Sequence, residues 1–196
     1  MKALKPISTL LVMLLTVSSL LVACQYNAKP SDPAIDQPTY THVQKVEVPG
    51  ITNFSRSGMT AGFGGATQPS AMDWLKDDGF VSVINLRLAS EEGVELDASR
   101  MAAEAVGMKY IHLPLDSKNV DPHVIDNFLA AVGDEANQPV YVHCGSATRA
   151  AALWMIKRVT VDGWDIDKAS NEARAIAKKP DAAVAFASQY IASQKP

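Results

Sequence analysis

Cysteine is close to absent: the 196 residues hold two, Cys24 and Cys144, too few for a secreted scaffold stapled by disulfides. An excess of positive charge is also missing. Lys and Arg number 18 against 21 Asp and Glu, a net charge of −3, which excludes the basic face a nucleic-acid binder needs. The four histidines are scattered; His112 and His123 have no ligand-like partners, so no metal site and no cofactor are expected. The glycines of Gly62-Phe63-Gly64-Gly65-Ala66-Thr67 are followed by neither a Lys-Ser/Thr pair nor a G-x-G-x-x-G pattern, and read as a flexible loop rather than a nucleotide-phosphate loop. No internal repeat is present. There is one long apolar run, ISTLLVMLLTVSSLLV at residues 7–22, preceded by the basic stretch Met1 to Lys5. It is short and ends at small residues, the pattern of a secretory signal rather than a spanning helix.

The end of that run, Leu21-Val22-Ala23-Cys24, resembles the bacterial lipobox. The resemblance implies that residues 1–23 are removed and that Cys24 carries acyl chains, which anchor an otherwise soluble domain to a membrane. Gln25 in place of an aspartate points to the outer membrane of a Gram-negative source, with the protein on the periplasmic face. Loss of Lys2 and Lys5 leaves 16 basic residues against 21 acidic, a net of −5. Residues 24–45 comprise the lipidated cysteine and a tether. The stretch after Cys24 carries three prolines and no apolar periodicity, and as a flexible chain reaches about 25 Å on average. The domain is expected to cover residues 46–196. With Cys24 lipidated, Cys144 has no intramolecular partner in an oxidising compartment, so it is either buried and inert or retained for its reactivity.

The rest of the composition, 47% hydrophobic and 20% charged, is that of a soluble globular domain. Gln68-Pro69-Ser70 opens a short helix with Ser70 as N-cap and Gly79 as its stop. Phe80 to Arg87 is β-branched and apolar and Met108 to Leu115 alternates loosely, and both read as strands; Pro139 to His143 is a third. Gly93 to Val106 reads as a helix. Asp121-Pro122 starts another, with Asp121 as N-cap. Three helices follow, at about 149–161, 165–178 and 181–193. Alternating strands and helices predict an α/β domain: a central, mostly parallel sheet of about four to five strands flanked by helices. Ligands on such sheets gather at the carboxyl ends of the strands. Arg87, Asp116 and Cys144 all lie at or just past such ends.

In PVYVHCGSATRAAALW, Pro139 to Trp154, a buried strand delivers Cys144 to the sheet edge. Gly145, Ser146, Ala147 and Thr148 are small enough for the backbone to curl and turn successive amides inward, and Arg149 stands in the first turn of a helix. Inward amides at a helix N-terminus form an anion site. The same field stabilises a thiolate. A guanidinium grips two oxygens of a tetrahedral oxyanion at once. A nucleophile and an oxyanion cradle thus share one loop, suited to attack on phosphorus or sulfur.

His143-Cys144 followed by Arg149 resembles the signature of cysteine-dependent protein tyrosine and dual-specificity phosphatases. Upstream, Gln68-Pro69-Ser70, Trp74-Leu75, Gly79-Phe80, Val83 to Arg87, Glu91 or Glu92, and Tyr110 to Leu115 match in order the bacterial branch similar to the N-terminal domain of β-lactamase hydrolase-like proteins, over about residues 50–175. The resemblance implies a phosphatase-like fold and hydrolysis of a phosphoric monoester through a phosphocysteine. In it Cys144 attacks phosphorus, Arg149 and the amides of residues 145–149 hold the equatorial oxygens, and His143 fixes the loop by hydrogen bonding. An aspartate protonates the leaving oxygen: Asp116 fits, and Asp121 is the alternative, although its place as an N-cap offers a simpler account. Arg87 orients the site through Glu91 or Glu92, or forms a surface ion pair. The substrate is a phosphorylated molecule of unspecified identity. Three features depart from the pattern. The spacing from Cys144 to Arg149 is four residues where five are usual, as also in rhodanese sulfurtransferases. Ala147 stands where glycine is common. Ala150 replaces a hydroxyl that helps the thiolate leave, with Ser146 or Thr148 as substitutes. A sulfurtransferase and a non-catalytic oxyanion-binding lipoprotein are therefore the competing expectations.

Overall fold

The computed structural model describes residues 43–194; the signal, Cys24 and most of the tether lie outside them. Six strands form one sheet in the order β1-β2-β3-β6-β4-β5. They are β1 (Val43–Lys45), β2 (Ser55–Ser57), β3 (Ala61–Gly64), β4 (Ser82–Asn85), β5 (Lys109–His112) and β6 (Val140–His143). β3, β6, β4 and β5 pair in parallel, while β1 and β2 add antiparallel strands at one edge. The sheet is thus larger than the four to five strands expected, and it takes in Val43–Lys45 from the stretch assigned to the tether.

The glycine run is not a flexible loop. Ala61–Gly64 is a buried strand whose glycines are required by packing: a methyl group on Gly62 would collide with the ring of Phe80, and one on Gly64 with the hydroxyl end of Tyr141. Glycine in a strand here marks close approach of a neighbour.

β4 and β6 are buried along their whole length, as central parallel strands covered on both faces must be. Their side chains alternate between two cores. Val83 and Tyr141 join Phe54, Met72, Leu75, Phe80 and Ala103 under α1 (Met72–Asp77) and α2 (Leu96–Ala105). Ile84, Val140 and Val142 face the opposite core beneath α3 (Pro122–Gly133), α4 (Thr148–Thr160), α5 (Ile166–Ile176) and α6 (Pro180–Ser193). Every residue of α4 from Ala150 to Ile156 is buried, the signature of a helix enclosed on all sides. Its alanines let α5 and α6 approach closely. Burial of side chains such as Leu153 and Ile156 stabilises the fold by about 1.5–3 kcal/mol each, and it fixes the helix whose first turn carries Arg149.

The helix ends follow local chemistry. Asp121 caps α3, accepting from the His123 amide at 2.9 Å. Gly79 adopts φ +93° after α1, a left-handed stop that glycine enters without steric cost. Ser70 makes no capping bond. Pro69 opens a 3-10 turn over Pro69–Ala71, and α1 starts directly from that turn at Met72, so no capping side chain is used.

Candidate active site

Cys144 is a free thiol at the end of the central strand β6 and is 1% exposed. The chain then turns through Gly145, Ser146 and Ala147 into α4. Ala147 has φ 62° and ψ 0°, left-handed backbone held by an L residue, which costs about 1–2 kcal/mol relative to glycine. The cost is borne because the loop is held from both sides. Ala66 N–H donates to Gly145 O (3.2 Å) and Lys178 N–H to Ser146 O (3.3 Å). These two bonds fasten the loop to the segment that follows β3 and to the segment that precedes α6.

Arg149 is anchored by its end. Nη1 donates to Glu91 Oε1 at 2.7 Å and to the carbonyls of Leu86 and Leu115, both at 3.1 Å; Nη2 donates to Glu91 Oε2 at 2.8 Å. These contacts engage the terminal fork of the guanidinium. They leave the Nε–H and the second Nη2 hydrogen along the other edge, which is the fork suited to two oxygens of one oxyanion. Burial opposes the charge on Arg149, but the Glu91 carboxylate and the nearby Cys144 sulfur outweigh it and raise its pKa above the ordinary value. A Cβ built on Gly145 would lie 3.5 Å from Glu91 Oε2 and 3.7 Å from Arg149 Nη2, so the ion pair rests directly on the loop.

Glu91 is the residue whose role the sequence hid. Its spacing from Arg87 suggests an i,i+4 pair, and that contact exists, Arg87 Nε to Oε2 at 3.3 Å. Its shorter bonds nonetheless go to Arg149, 58 positions away. Arg87, 8% exposed, also donates to the carbonyls of Glu92 (2.5 Å) and Gly93 (3.3 Å). It is therefore a clamp on the 91–93 turn rather than a surface charge. Burial pushes the Glu91 carboxyl up. Hydrogen bonds from Arg149 and the Leu88 amide, and the charge of Arg149, more than reverse this and pull it from 4.5 down to about 2. A carboxyl depressed in the folded state contributes stability that is complete above its unfolded value and disappears as pH falls through the folded one. The loss of stability assigned to this group should therefore fall between pH 4.5 and about 2. Urea midpoints followed across that window should drop for the wild type, and Glu91→Gln should flatten the drop.

His143 departs from expectation. It is 2% exposed, and neither ring nitrogen has a hydrogen-bond partner of good geometry, although the backbone of Gly65 and Cys144 lies close enough to act on its pKa. The ring stacks on Tyr141 at 5.7 Å and 9°, and the Tyr141 hydroxyl pairs with Thr67 Oγ1 at 2.7 Å. His143 thus supports the loop through its stacking on Tyr141. Burial first, then the charges of Arg87 and Arg149, push its pKa down to about 3, so the imidazole is neutral beneath the site.

The two aspartates separate. Asp121 is engaged in capping α3. Asp116 directly follows Leu115, whose carbonyl is bound by Arg149 and whose amide donates to Leu86 O at 3.1 Å. The Asp116 backbone is therefore fastened beside the arginine, and its Oδ1 accepts from Lys118 N–H at 2.9 Å. Ser146 Oγ and Thr148 Oγ1 lie 3.1 Å apart, and Thr148 Oγ1 also accepts from the Lys179 amide at 3.3 Å.

The profile of the family described as "Beta-lactamase hydrolase-like protein, phosphatase-like domain" matches residues 56–161. A relative, the β-lactamase hydrolase-like protein of Agrobacterium fabrum, is 34% identical over 95 residues, 46% of this chain and 22% of that protein. The chain thus spans about a fifth of that relative. Among solved structures, P. aeruginosa TpbA superposes with a TM-score of 0.61 at 20% identity, covering 80% of this chain and 92% of its own. The core catalytic domain of the S. cerevisiae PP-IP phosphatase Siw14, in complex with citrate, superposes with a TM-score of 0.58 at 20% identity, covering 76% and 95%. At these identities the likeness bears on the fold.

Proposed function

The chain belongs to the family of β-lactamase hydrolase-like protein phosphatase-like domains, and from that membership we propose that it hydrolyses phosphoric monoesters through a phosphocysteine on Cys144. The observation that carries the reading is the Nε/Nη2 edge of Arg149 beside the Cys144 loop, left over when Glu91 holds the terminal fork. The Cys144 sulfur attacks phosphorus, an S–P bond forms, and the bond to the leaving oxygen breaks as Asp116 gives that oxygen its proton. Arg149 and the loop amides hold the equatorial oxygens, where charge accumulates. Water then attacks the phosphocysteine, the Asp116 carboxylate takes a proton from it, and the S–P bond breaks to release phosphate. Because Ala150 offers no hydroxyl, the second step is expected to be the slower one.

The test is phosphate release from p-nitrophenyl phosphate by the purified full-length chain, beside an assay of thiocyanate formation from thiosulfate and cyanide. Phosphate release supports this reading. Thiocyanate formation alone supports a sulfurtransferase, and neither activity supports an oxyanion-binding protein. Asp116→Asn should lower kcat by about 10²–10⁴-fold. Asp121→Ala should leave kcat near wild type and cost about 1 kcal/mol of stability through the lost cap. The reverse pattern would assign the acid to Asp121.

The lipobox supports a further part of the reading, that the mature protein begins at an acylated Cys24 and is held at the periplasmic face of a bacterial membrane, the outer membrane being favoured. Labelling with a radioactive fatty acid that disappears in Cys24→Ala tests it.

A further inference from the structure

We propose that α6 is the specificity wall of the site, and that it selects monophosphates whose leaving group is a single uncharged group of about one or two rings. The inference rests on the hydrolase reading above and concerns what that reaction accepts. A cavity of about 320 Å³ opens beside Arg149, lined by Ser117, Thr148, Arg149, Ala182, Phe186 and Gln189 among others. Its volume is at the low end of small-molecule sites, about 300–1,000 Å³. It adjoins the chemistry on two sides: Ser117 follows Asp116, and Thr148 and Arg149 form the first turn of α4.

The wall opposite them belongs to α6, which is positioned by the phosphate loop itself. The two residues before Pro180 donate backbone N–H groups to that loop, Lys178 to Ser146 O and Lys179 to Thr148 Oγ1, both at 3.3 Å. α6 is thereby fixed relative to the loop that carries Cys144 and Arg149.

The chemistry of the lining sets the class. Arg149 is its one charged side chain; the rest are alanines, hydroxyls, the Phe186 ring and the Gln189 amide. A ring can lie against Phe186, whereas a second phosphate would be desolvated there with no cation in the lining besides Arg149, which the first phosphate occupies, and that is costly. The cavity of about 590 Å³ on the Gln68–Ser70 side offers a polyanion no better place, because Glu92 and Glu95 border it and its Arg87 is already bonded to Glu91, Glu92 and Gly93.

The experiment compares 1-naphthyl phosphate, acetyl phosphate and inositol hexakisphosphate with the full-length chain, its Phe186→Ala variant and Ala182→Trp. Ala182 is an exposed position of α6, where a tryptophan fills the cavity without entering the core, and a melting curve verifies the fold. The expected order for the wild type is naphthyl phosphate well above inositol hexakisphosphate. In both variants the ratio of kcat/KM for naphthyl phosphate over acetyl phosphate should fall, by about tenfold in Ala182→Trp, mainly through KM. An unchanged ratio overturns the inference, as does a preference for inositol hexakisphosphate, which would assign recognition to the exposed Lys178 and Lys179 instead. Absence of phosphate release from all three by the wild type overturns the hydrolase reading itself, and the inference with it.

Discussion

Cys144→Ser is expected to abolish phosphate release from p-nitrophenyl phosphate, by about 10⁴-fold or more, with little change in melting temperature. The substitution exchanges one atom at the end of β6. Cys144 sits 1% exposed in the larger core, where serine is nearly the same size, and its amide bond to Gly64 O at 3.2 Å does not depend on sulfur. A serine hydroxyl is a weak nucleophile without an adjacent base, and the one imidazole close by, His143, faces Tyr141 and has no hydrogen-bond partner on either nitrogen. The variant should retain the anion site, so inorganic phosphate should still raise its melting temperature.

Arg149→Lys should lower kcat/KM for the same substrate by about 10³-fold. Removal of a single preorganised donor at a developing oxyanion costs about 10²–10³ in rate, and lysine forfeits the two-pronged edge while keeping the charge. The structural cost is separable. Lysine still neutralises Glu91, but it cannot also serve the carbonyls of Leu86 and Leu115, which Nη1 holds at 3.1 Å; each lost bond is worth about 1 kcal/mol. Glu91→Gln provides the contrast. It keeps one acceptor for the terminal fork and puts a donor NH2 in place of the other, but it leaves the guanidinium and its Nε/Nη2 edge in the chain, so its effect on turnover should be smaller than that of Arg149→Lys. Equal losses in the two variants would mean that Arg149 serves the fold through Glu91 and does not bind phosphate.

The central layers of the fold were legible because their signals are local. β4 and β6 lie in short apolar runs bounded by turns, β5 in a loosely alternating one, α3 announces itself with Asp121-Pro122, and α4, α5 and α6 lie within two residues of their expected limits. The edge strands were not legible. β1 and β2 are three residues each, Val-Gln-Lys and Ser-Arg-Ser, with little β-forming character. β3 is half glycine because rings from Phe80 and Tyr141 occupy the space its side chains would need, a requirement invisible until those distant residues are in place. The phosphate loop could be read from Cys144 to Arg149, and the left-handed angle at Ala147 is where the missing glycine implied strain. The partner of Arg149 could not, since a carboxylate four residues from Arg87 offers a local explanation that conceals its stronger bonds. The packing role of His143 is likewise set by Tyr141, two residues away on the same face of β6, rather than by anything in the His-Cys pair.

The most direct measurement is rapid quenching of the full-length chain during turnover of p-nitrophenyl phosphate, followed by peptide mapping by mass spectrometry. The account predicts one phosphoryl group on the peptide containing Cys144, accumulating because breakdown is slow with Ala150 in place of a hydroxyl, and absent in Cys144→Ser. Steady phosphate release with no covalent phosphate on that peptide, and turnover undiminished in Cys144→Ser, would contradict it.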